Sequence, residues 1–383
     1  MERMVYTAEH EEFRSAVRRF LEREALPKYA TWERQGFVDP EFFLQMGELG
    51  FLGMQVPKEF GGSGIESYKF NAVLNEEAAA AGLALGSLRT HLDLVYPYLQ
   101  RFANAEQKKR WLPGFASGET MTAIAMTEPD TGSDLAGIRT TARRAGEVYI
   151  VNGAKTFITG GRQARRVLVV CRTSPPEKAN RRAGLTILAI DTATPGFTSG
   201  RMLSKLGLKA QDTCELSFDD VRVPIEDRVG EEGQAFRLLS QNLPQERLVI
   251  AIGAVASARR AVEHTVDYTL NRKAFGTPVA SFQNTKFVLA DCAADVAAGQ
   301  ALVDDAIERH DADALTPAQA ALVKLWSTEM QGRVVDKCLQ LHGGYGYITE
   351  YPIARLYADA RVTRILGGTS EVMRTVVAKS MQL

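Results

Sequence analysis

Apolar residues change their spacing twice along the chain, and these changes divide it into three parts. From residue 9 to about residue 112 they recur three and four positions apart, which predicts a helical N-terminal domain in residues 1–122. From about 123 to 230 the spacing shortens to two, which predicts a β-domain. Helical spacing then returns in residues 231–383, where three or four long helices predict a C-terminal helical bundle. The expected long helices are 242–271, 282–309, 317–341 and one after Thr369-Ser370.

The middle part carries four strand-like runs with no helical stretch between them long enough to connect parallel strands. We therefore expect a small antiparallel sheet. Asn152-Gly153 lies between two strand-like halves of residues 147–160 and is the strongest short hairpin signal in the chain. The predicted fold is mainly α-helical with an inserted antiparallel β-domain, and clefts between such domains are common cofactor sites.

Composition excludes several classes of partner. Lys plus Arg equals Asp plus Glu at 46 each, so no overall charge attracts the chain to nucleic acid or to an anionic membrane surface. The four cysteines and five histidines are scattered without metal-ligand spacing, which favours a reducing compartment and no metal site. No stretch has the apolar core of a signal peptide or the length of a membrane span, so we expect a cytoplasmic protein without membrane insertion.

Glycine-rich and hydroxyl-rich stretches can hold a phosphate or a planar ring, although neither common nucleotide-binding fingerprint occurs in the chain. AMTEPDTGSD (125–134) offers hydroxyl groups and exposed backbone N–H groups. NRKAFG (271–276) sets Arg272 beside Phe275, and it equally suits an ordinary basic helix end. LQLHGGYGY (339–347) and ILGGTSEV (365–372) place paired glycines at helix boundaries, where they bind an anion or merely end a helix.

These stretches, taken in order, resemble the acyl-CoA dehydrogenase family. AMTEP, GSD, KTFITGG, NRKAFG with Gln283 downstream, LQLHGGYGY and GGTSEVMR follow the family's order and spacing from about residue 9 to residue 380. The resemblance implies a helical N-terminal domain, a middle β-domain and a C-terminal four-helix bundle. It also implies FAD as the cofactor, an acyl-CoA substrate in fatty acid metabolism, an electron-transfer flavoprotein as electron acceptor, and a homotetramer.

The resemblance assigns roles to individual residues. Phe157 stands where many members have Trp, and Ile124 where some have Tyr; both substitutions keep an apolar surface. Thr369 and Glu371 match the cofactor-contacting residues just after the catalytic loop, and Ser133, Gly367 and Gly368 match substrate contacts. The flavin ring is expected against Met126, Thr127, Gly132, Ser133, Phe157 and Thr159. Its pyrophosphate and adenosine part is expected against Arg272, Phe275 and Gln283 of a neighbouring subunit and against the turn with Gln340, Gly343 and Gly344.

The expected catalytic base is Glu246. Many members carry a glutamate directly before the Gly-Thr of the last motif, where this chain has Gly367. In the long-chain and isovaleryl-type subgroup the catalytic glutamate comes instead from a bundle helix, in a segment that resembles LPQER (243–247). The arginine that follows it in that subgroup contacts CoA, and Arg247 matches this arginine. Glu246 would remove the α-proton while the β-hydrogen leaves as hydride to the flavin. Apolar neighbours would raise the pKa of Glu246 toward neutrality.

The same residues have plainer interpretations. Asn242 can cap a helix that begins there, which would make Glu246 an ordinary first-turn acid. Arg247 can pair with Glu246 or another acid, and Glu371 is more simply a first-turn helix acid than a second candidate base.

Substrate and rival functions stay open at this point. The resemblance puts SLRTHLDL (87–94) near the far end of the acyl pocket, where Arg89 or His91 suits a short, polar or branched chain; alternatively, Arg89 points outward into solvent. The rival functions are a flavin oxidase or monooxygenase, a desaturase of carrier-bound acyl groups, and a non-catalytic acyl-CoA-binding scaffold.

Overall fold

The computed structural model describes residues 3–177 and 180–383, and within them the chain runs through helices, then strands, then helices. The first part is helical, as the spacing predicts. A π-helical turn at Leu21–Ala25 joins helices Ala8–Phe20 and Leu26–Gln35 end to end. A second π-helical turn, Thr90–Val95, leads into helix Tyr96–Phe102. The helices are α1 Ala8–Phe20, α2 Leu26–Gln35, α3 Pro40–Glu48, α4 Lys69–Ala80, α5 Tyr96–Phe102 and α6 Ala105–Ser117.

Aromatic side chains fill the core of this helical part. Trp32 is fully buried, and its ring meets Phe42 edge-on at 5.1 Å between centroids. The indole N–H of Trp32 donates to Asp39, so its polar atom is satisfied inside the core. The same apolar cluster continues through Val170 and Ile187 of the sheet to Leu238 at the start of the bundle. One continuous core therefore fixes the three parts relative to one another.

The middle part is one mixed sheet of eight strands within the described residues, in the order β6-β7-β3-β2-β4-β5-β8 with β1 beside β4. Small and β-branched residues dominate its fully buried strands, such as residues 167–171 of β4. The strands are β1 Thr122–Ala125, β2 Thr141–Ala145, β3 Val148–Thr159, β4 Arg166–Arg172, β5 Leu185–Asp191, β6 Phe197–Met202, β7 Thr213–Pro224 and β8 Arg228–Val229.

Two details of the predicted β-domain are wrong. The sheet is not purely antiparallel, because β1 pairs with β4 in parallel and β2 touches β4 in parallel at one residue pair. The chain makes this connection through the β2-β3 hairpin rather than through a helix. Asn152-Gly153 is not a hairpin turn: it lies inside β3 at a register shift against β7, where Gly153 has φ +145°. The hairpin turn falls instead at Gly146, which has φ +61°.

The last part is a helical bundle, as expected, with one short helix that the spacing did not indicate. The helix at 352–360 begins at Pro352, a residue that suggests a turn but is here the first residue of a helix, where its missing N–H costs nothing. Within the described ranges, no helix combines the length and the apolar character needed to cross a membrane. The helices are α7 Ala235–Asn271, α8 Gln283–Asp311, α9 Pro317–His342, α10 Pro352–Ala360 and α11 Ser370–Ser380, and the pair β9 Lys273–Ala274 and β10 Thr277–Pro278 follows α7.

Candidate active site

Glu246 lies in the interior of the longest helix. Helix α7 begins at Ala235, so the interpretation of Asn242 as its N-cap and of Glu246 as a first-turn acid is wrong. Ala235, Leu238 and Leu239 are buried in the core shared with the N-terminal helices. This packing carries the helix through Pro244, which by itself removes a hydrogen bond and costs about 3 kcal/mol.

The carboxylate of Glu246 reaches the glycine pair of the last motif. A β-carbon built on Gly367 would lie 3.8 Å from Oε1 of Glu246 and 2.4 Å from Cδ1 of Ile250, one helical turn further along α7. Gly367 also has φ +64°, a conformation that favours glycine. Helix α7 therefore places the carboxylate of Glu246 close to where a side chain at position 367 of the loop would begin.

Burial raises the pKa of Glu246 above its usual value, and the nearby cations Arg247, Arg89 and Lys324 lower it in part. A carboxylate with a raised pKa is a better proton acceptor than a solvated one. Its neighbours Leu248 and Val249 are fully buried.

The loop before α11, which lies beside this carboxylate, keeps one backbone N–H without an acceptor in the described chain. The N–H of Gly367 donates to no acceptor in the part of the chain that the structure describes. Lys324, a fully buried residue of α9, donates from Nζ to the carbonyl oxygen of Gly368 over 2.7 Å. The hydroxyl of Thr369 accepts from the N–H of Val372, so Thr369 is the predicted N-cap. The loop is thus held at both ends while one N–H stays available for an oxyanion.

A cavity of about 110 Å³ lies behind this point, between the N-terminal helices, α7 and the loop at residues 205–212. Ile250, Gly253 and Leu366 line it together with Gln211 of the β-domain. Its volume is small beside the roughly 300–1,000 Å³ that drug-sized ligands occupy. Ile250, one turn after Glu246 on α7, lines the cavity, so the cavity suits a short chain whose thioester end lies at Glu246.

Arg89 faces this cavity, and His91 does not. A β-carbon on Gly253 would lie 3.8 Å from Nη1 of Arg89, so the interpretation of Arg89 as a solvated surface residue is wrong. His91 is fully buried against Phe115, with its ring nitrogens bonded to Thr122 and to the carbonyl oxygen of Phe115. Burial lowers the pKa of His91 to about 3.

Arg247 is buried beside Glu246 but makes no ion pair with it in the described chain. One terminal nitrogen of its guanidinium lies 3.4 Å from the carbonyl oxygen of Pro317, and Nε has no partner there. The alternative of a Glu246–Arg247 ion pair is therefore wrong. A buried guanidinium with unsatisfied N–H groups is suited to an incoming anion.

The loop expected to face the flavin ring is fixed by a buried ion pair. Nζ of Lys155 donates to the carbonyl oxygen of Met126 over 2.8 Å and to the carboxylate of Glu128 over 2.9 Å. The carbonyl oxygen of Thr127 accepts from the N–H of Thr156. Beyond this anchored part, Gly132 and Ser133 are exposed, and a β-carbon on Gly132 would meet nothing within 4 Å. The loop presents an open, polar edge.

Phe157 is a strained and exposed aromatic residue in this same region. It has φ +59° inside β3 and its side chain is 67% exposed. A non-glycine residue in this conformation costs about 1–3 kcal/mol, and such strain clusters at ligand sites. Thr159, two residues on, accepts from Gln211, which lines the cavity. The aromatic face and the cavity are thus linked through one hydrogen bond.

The second expected cofactor cluster lies on the bundle. Arg272, Gln340, Gly343 and Gly344 line a cleft of about 570 Å³, where Arg272 also lies over the ring of Tyr345 at 5.3 Å. The residues of the flavin-ring loop do not line this cleft. Phe275, 98% exposed with φ +52°, and Gln283, the first residue of α8, lie nearby on the surface. Within one chain the two expected halves of the cofactor site therefore stay apart.

Sequence reasoning missed several residues of the site. Lys324 stands alone in the apolar run AALVKLW, a pattern that signals a buried lysine with a specific partner. Gln211 and Leu208 lie in a loop without a recognisable motif, and the N–H of Leu208 is bonded to buried Asp359. Glu371, by contrast, is 77% exposed on its side chain and pairs with Arg374, so it is a first-turn acid away from the cavity.

Comparison with known proteins identifies the architecture. Residues 7–119 match the family described as Acyl-CoA dehydrogenase, N-terminal domain; residues 123–221 match its middle domain and residues 233–382 its C-terminal domain. The chain belongs to the acyl-CoA dehydrogenase family.

Members of this family are similar to the chain along nearly its whole length. The mitochondrial long-chain specific acyl-CoA dehydrogenase of Sus scrofa is 41% identical over 379 residues, 99% of this chain and 88% of that protein. The solved acyl-CoA dehydrogenase from Geobacillus kaustophilus has a TM-score of 0.97 and 45% identity, with both chains fully covered. The acyl-CoA dehydrogenase complexed with FAD from Bacillus anthracis has a TM-score of 0.92 and 30% identity, over 98% of this chain and 67% of that one.

The chain is therefore an FAD-dependent oxidoreductase that desaturates acyl-CoA thioesters. The oxidase, monooxygenase and scaffold alternatives are not favoured by this set of relatives.

Proposed function

We propose that Glu246 is the base that removes the α-proton of the acyl-CoA substrate. The observation that carries this proposal is the 3.8 Å separation between Oε1 of Glu246 and the β-carbon position of Gly367. Burial raises the pKa of the same carboxylate. The proton moves to Glu246 and the β-hydrogen leaves with its electron pair, so a carbon–carbon double bond forms between the two carbons. FAD, when bound, supplies the acceptor for that hydride.

The thioester oxygen gains negative charge as the proton leaves, and the N–H of Gly367 is suited to receive it. This N–H has no acceptor in the described chain, and Lys324 fixes the loop through Gly368. A preorganised donor of this kind lowers the barrier without reorganising during the reaction. Gly368 and Ser133 would complete the substrate contacts, and the unsatisfied guanidinium of Arg247 would bind the CoA portion.

The residues present suit FAD in two separate places. The open edge formed by Met126, Thr127, Gly132 and Ser133, with the exposed ring of Phe157 and the hydroxyl of Thr159, fits the flavin ring. The cleft of Arg272, Gln340, Gly343 and Gly344, with Phe275 and Gln283 beside it, fits the pyrophosphate and adenosine part of FAD. Thr369 and Glu371 would lie at the border of the flavin.

Because one chain keeps these two places apart, we propose a homotetramer in which Arg272, Phe275 and Gln283 serve a neighbouring subunit. Large apolar side chains are exposed close to this cleft, and exposed patches of that kind mark interfaces between chains. They include Phe275 at 98%, Tyr347 at 89%, Phe287 at 61% and Leu270 at 58% exposure. We further propose an electron-transfer flavoprotein as the electron acceptor and the cytoplasm as the location.

Anaerobic addition of acyl-CoAs to the purified yellow protein tests the function. Bleaching of the flavin band by one class of acyl-CoA is the expected result, and a protein reduced by none of them would contradict it.

The Glu246→Gln variant tests the base separately. It should keep its flavin spectrum and still bind the substrate, while the rate of flavin reduction falls by about 1,000-fold or more. Glu106→Gln is the matched control, since Glu106 is an exposed acid in the first turn of α6, outside the site, and its replacement should leave the chemical step nearly unchanged. Reduction of the Glu246→Gln variant at the normal rate would assign the proton transfer to another residue.

A further inference from the structure

Arg89 is a cation at the rear of the active-site cavity, and it has no ion-pair partner among the described residues. Its guanidinium lines the cavity and lies against Gly253 of α7, with Nη1 3.8 Å from the β-carbon position of that glycine. Within residues 3–177 and 180–383 it donates no hydrogen bond and forms no ion pair within 4.0 Å. A partly buried charge without an ion pair is costly, so this arrangement is suited to a ligand that completes it.

The nearest acid does not supply that partner. Asp93, one helical turn beyond Arg89, accepts hydrogen bonds from the side-chain amides of Asn71 and Asn75, at 3.5 Å and 3.0 Å. Burial raises the pKa of Asp93 to about 6. Its carboxylate is bonded by this amide cluster and favours the charge of Arg89 only from beyond ion-pair distance, so the hydrogen-bond donors of the guanidinium remain available to the cavity.

Glu246 lies just outside this cavity, one helical turn before Ile250, which lines it, and a short distance from the cavity's rear. Glu246 and Gly253 are seven residues apart on α7, which corresponds to two turns and about 10 Å along the helix axis. An acyl chain whose α-carbon lies at Glu246 thus has its far end at Arg89 after only a few carbons. The volume of about 110 Å³ agrees with a short chain. Ser257 lies one turn beyond Gly253 and lines the same cavity, so its rear is polar as well as charged.

We propose that Arg89 binds a carboxylate at the far end of a short acyl chain, so that the preferred substrates are CoA monothioesters of short dicarboxylic acids. This inference rests on the acyl-CoA dehydrogenase chemistry proposed above and names its substrate class. The planar guanidinium matches a carboxylate with two parallel hydrogen bonds, which are stronger than those between neutral groups. An unbranched alkyl end would displace water from the same guanidinium without offering it an acceptor. The distal carboxylate keeps its charge throughout, and the bonds made and broken are those at the α- and β-carbons.

Binding at Arg89 also affects the base. The positive charge of Arg89 is one of those that hold Glu246 in its ionised form. When the substrate carboxylate neutralises this charge, the ionised Glu246 loses part of its stabilisation and accepts a proton more readily. A substrate of the proposed class therefore activates the base by occupying the rear of the cavity.

The test compares pairs of acyl-CoAs with equal carbon numbers: succinyl-CoA with butyryl-CoA, glutaryl-CoA with valeryl-CoA, and adipoyl-CoA with hexanoyl-CoA. We expect the holoenzyme to have the higher kcat/KM for the carboxylated member of at least one pair. We define the preference as the kcat/KM of the carboxylated member divided by that of its methyl-terminated partner. Arg89→Met should lower this preference by roughly 10- to 100-fold, as expected for the loss of a hydrogen bond between charged groups. Arg89→Lys should retain part of the preference because it keeps the charge. Arg260→Met, which removes a surface arginine paired with Glu263 at 3.1 Å, is the matched control.

Binding is measured independently of turnover in the Glu246→Gln background. In that background, the Kd for glutaryl-CoA should rise relative to the Kd for valeryl-CoA when Arg89 is replaced by Met. If the ratio of the two Kd values is the same with and without Arg89, and the methyl-terminated acyl-CoAs turn over faster, Arg89 does not bind a substrate carboxylate. The dehydrogenase function would then remain intact. A flavin that no acyl-CoA reduces would instead contradict the function, and the Kd ratio would still decide the role of Arg89. If Arg89→Met does not fold, Arg89→Gln, which removes the charge but keeps a polar side chain, provides the same comparison.

Discussion

The buried ammonium of Lys324 donates to the carbonyl oxygen of Gly368 over 2.7 Å, and this bond ties α9 to the loop that faces Glu246. Lys324 is fully buried, and this burial lowers its pKa to about 8. Lys324 also lies close enough to Glu246 to favour its ionised form. One side chain thus acts on both the position of the Gly367 N–H and the charge of the base.

We expect Lys324→Met to lower kcat by about tenfold, with a smaller change in KM, because the loop loses a charged hydrogen bond of about 1.5–3 kcal/mol. The pH at which flavin reduction reaches half its maximum should also rise, since a positive charge near Glu246 is removed. Rapid-mixing measurements of flavin reduction from pH 5 to pH 9 check both effects. Lys109→Met, at an exposed site on α6, is the control. A lower kcat with no shift along the pH axis would limit Lys324 to a packing role.

Gly367 is expected to tolerate no side chain. In Gly367→Ala the new β-carbon would lie 2.4 Å from Cδ1 of Ile250, and alanine at φ +64° is strained by about 1–2 kcal/mol. Turnover and thermal stability should both fall. Ile250→Val removes Cδ1, so the double variant should recover the steric part of the loss but not the backbone part.

A double-mutant cycle of Gly367→Ala and Ile250→Val, measured for turnover and for thermal stability, gives the coupling energy between the two positions. This energy should reach about 0.5–3 kcal/mol for groups in contact. Simple additivity of the two changes would mean that the loop moves away from α7 when the β-carbon is introduced.

The extent of the helical and β-sheet parts follows from the sequence, because periodic burial decides those elements along their whole length. Local signals failed where tertiary packing overrode them. Asn242 followed by Pro244 suggests the start of a helix, yet Leu238 and Leu239 are buried against the N-terminal core and extend α7 seven residues further back. Asn152-Gly153 suggests a turn, yet β7 pairs along both sides of it and converts it into an irregularity within β3.

The candidate base could be selected from the sequence only through the resemblance to a family. Nothing in the residues alone distinguishes Glu246 from an acid in a first helical turn, because its function depends on Gly367, which is 121 positions away along the chain. Arg89 shows the same limit: its direction depends on the approach of α7 at Gly253. Contacts between distant segments decide such side chains, and periodicity carries no information about them.

Replacing Phe157 by glycine should raise the stability of the flavin-free protein and lower its affinity for FAD. Phe157→Gly relieves a strain of about 1–3 kcal/mol at φ +59°, offset by about 0.5–1 kcal/mol of extra chain entropy, and it loses little burial because the ring is 67% exposed. We expect the flavin-free variant to melt at a slightly higher temperature than flavin-free wild type, while its affinity for FAD falls at least about tenfold.

Calorimetry of the flavin-free proteins and titration with FAD check the two effects. Phe157→Trp, which keeps an aromatic ring and the strained backbone, should bind FAD nearly as well as wild type without the gain in stability. Unchanged FAD affinity in Phe157→Gly would remove this residue from the flavin site.

The raised pKa of Glu246 predicts that the base destabilises the fold at neutral pH. In the folded protein the carboxyl group keeps its proton to a higher pH than in the unfolded chain. Between these two pKa values the folded state binds more protons, so its stability falls as pH rises. Glu246→Gln has no such proton to lose. Its stability should therefore exceed that of wild type at pH 7, and the difference should shrink as pH falls toward 4.

Denaturant unfolding of both proteins at several pH values between 4 and 8 measures this difference. The neighbouring cations Arg89, Arg247 and Lys324 are present in both proteins, so their own titration cancels in the comparison to first order. Replacing Arg247 with Met should enlarge the effect, because Arg247 is the strongest of the charges that favour the ionised form of Glu246. A stability difference that does not change with pH would mean that Glu246 is solvated like an ordinary surface acid, and such an acid is too weak a base for the α-proton.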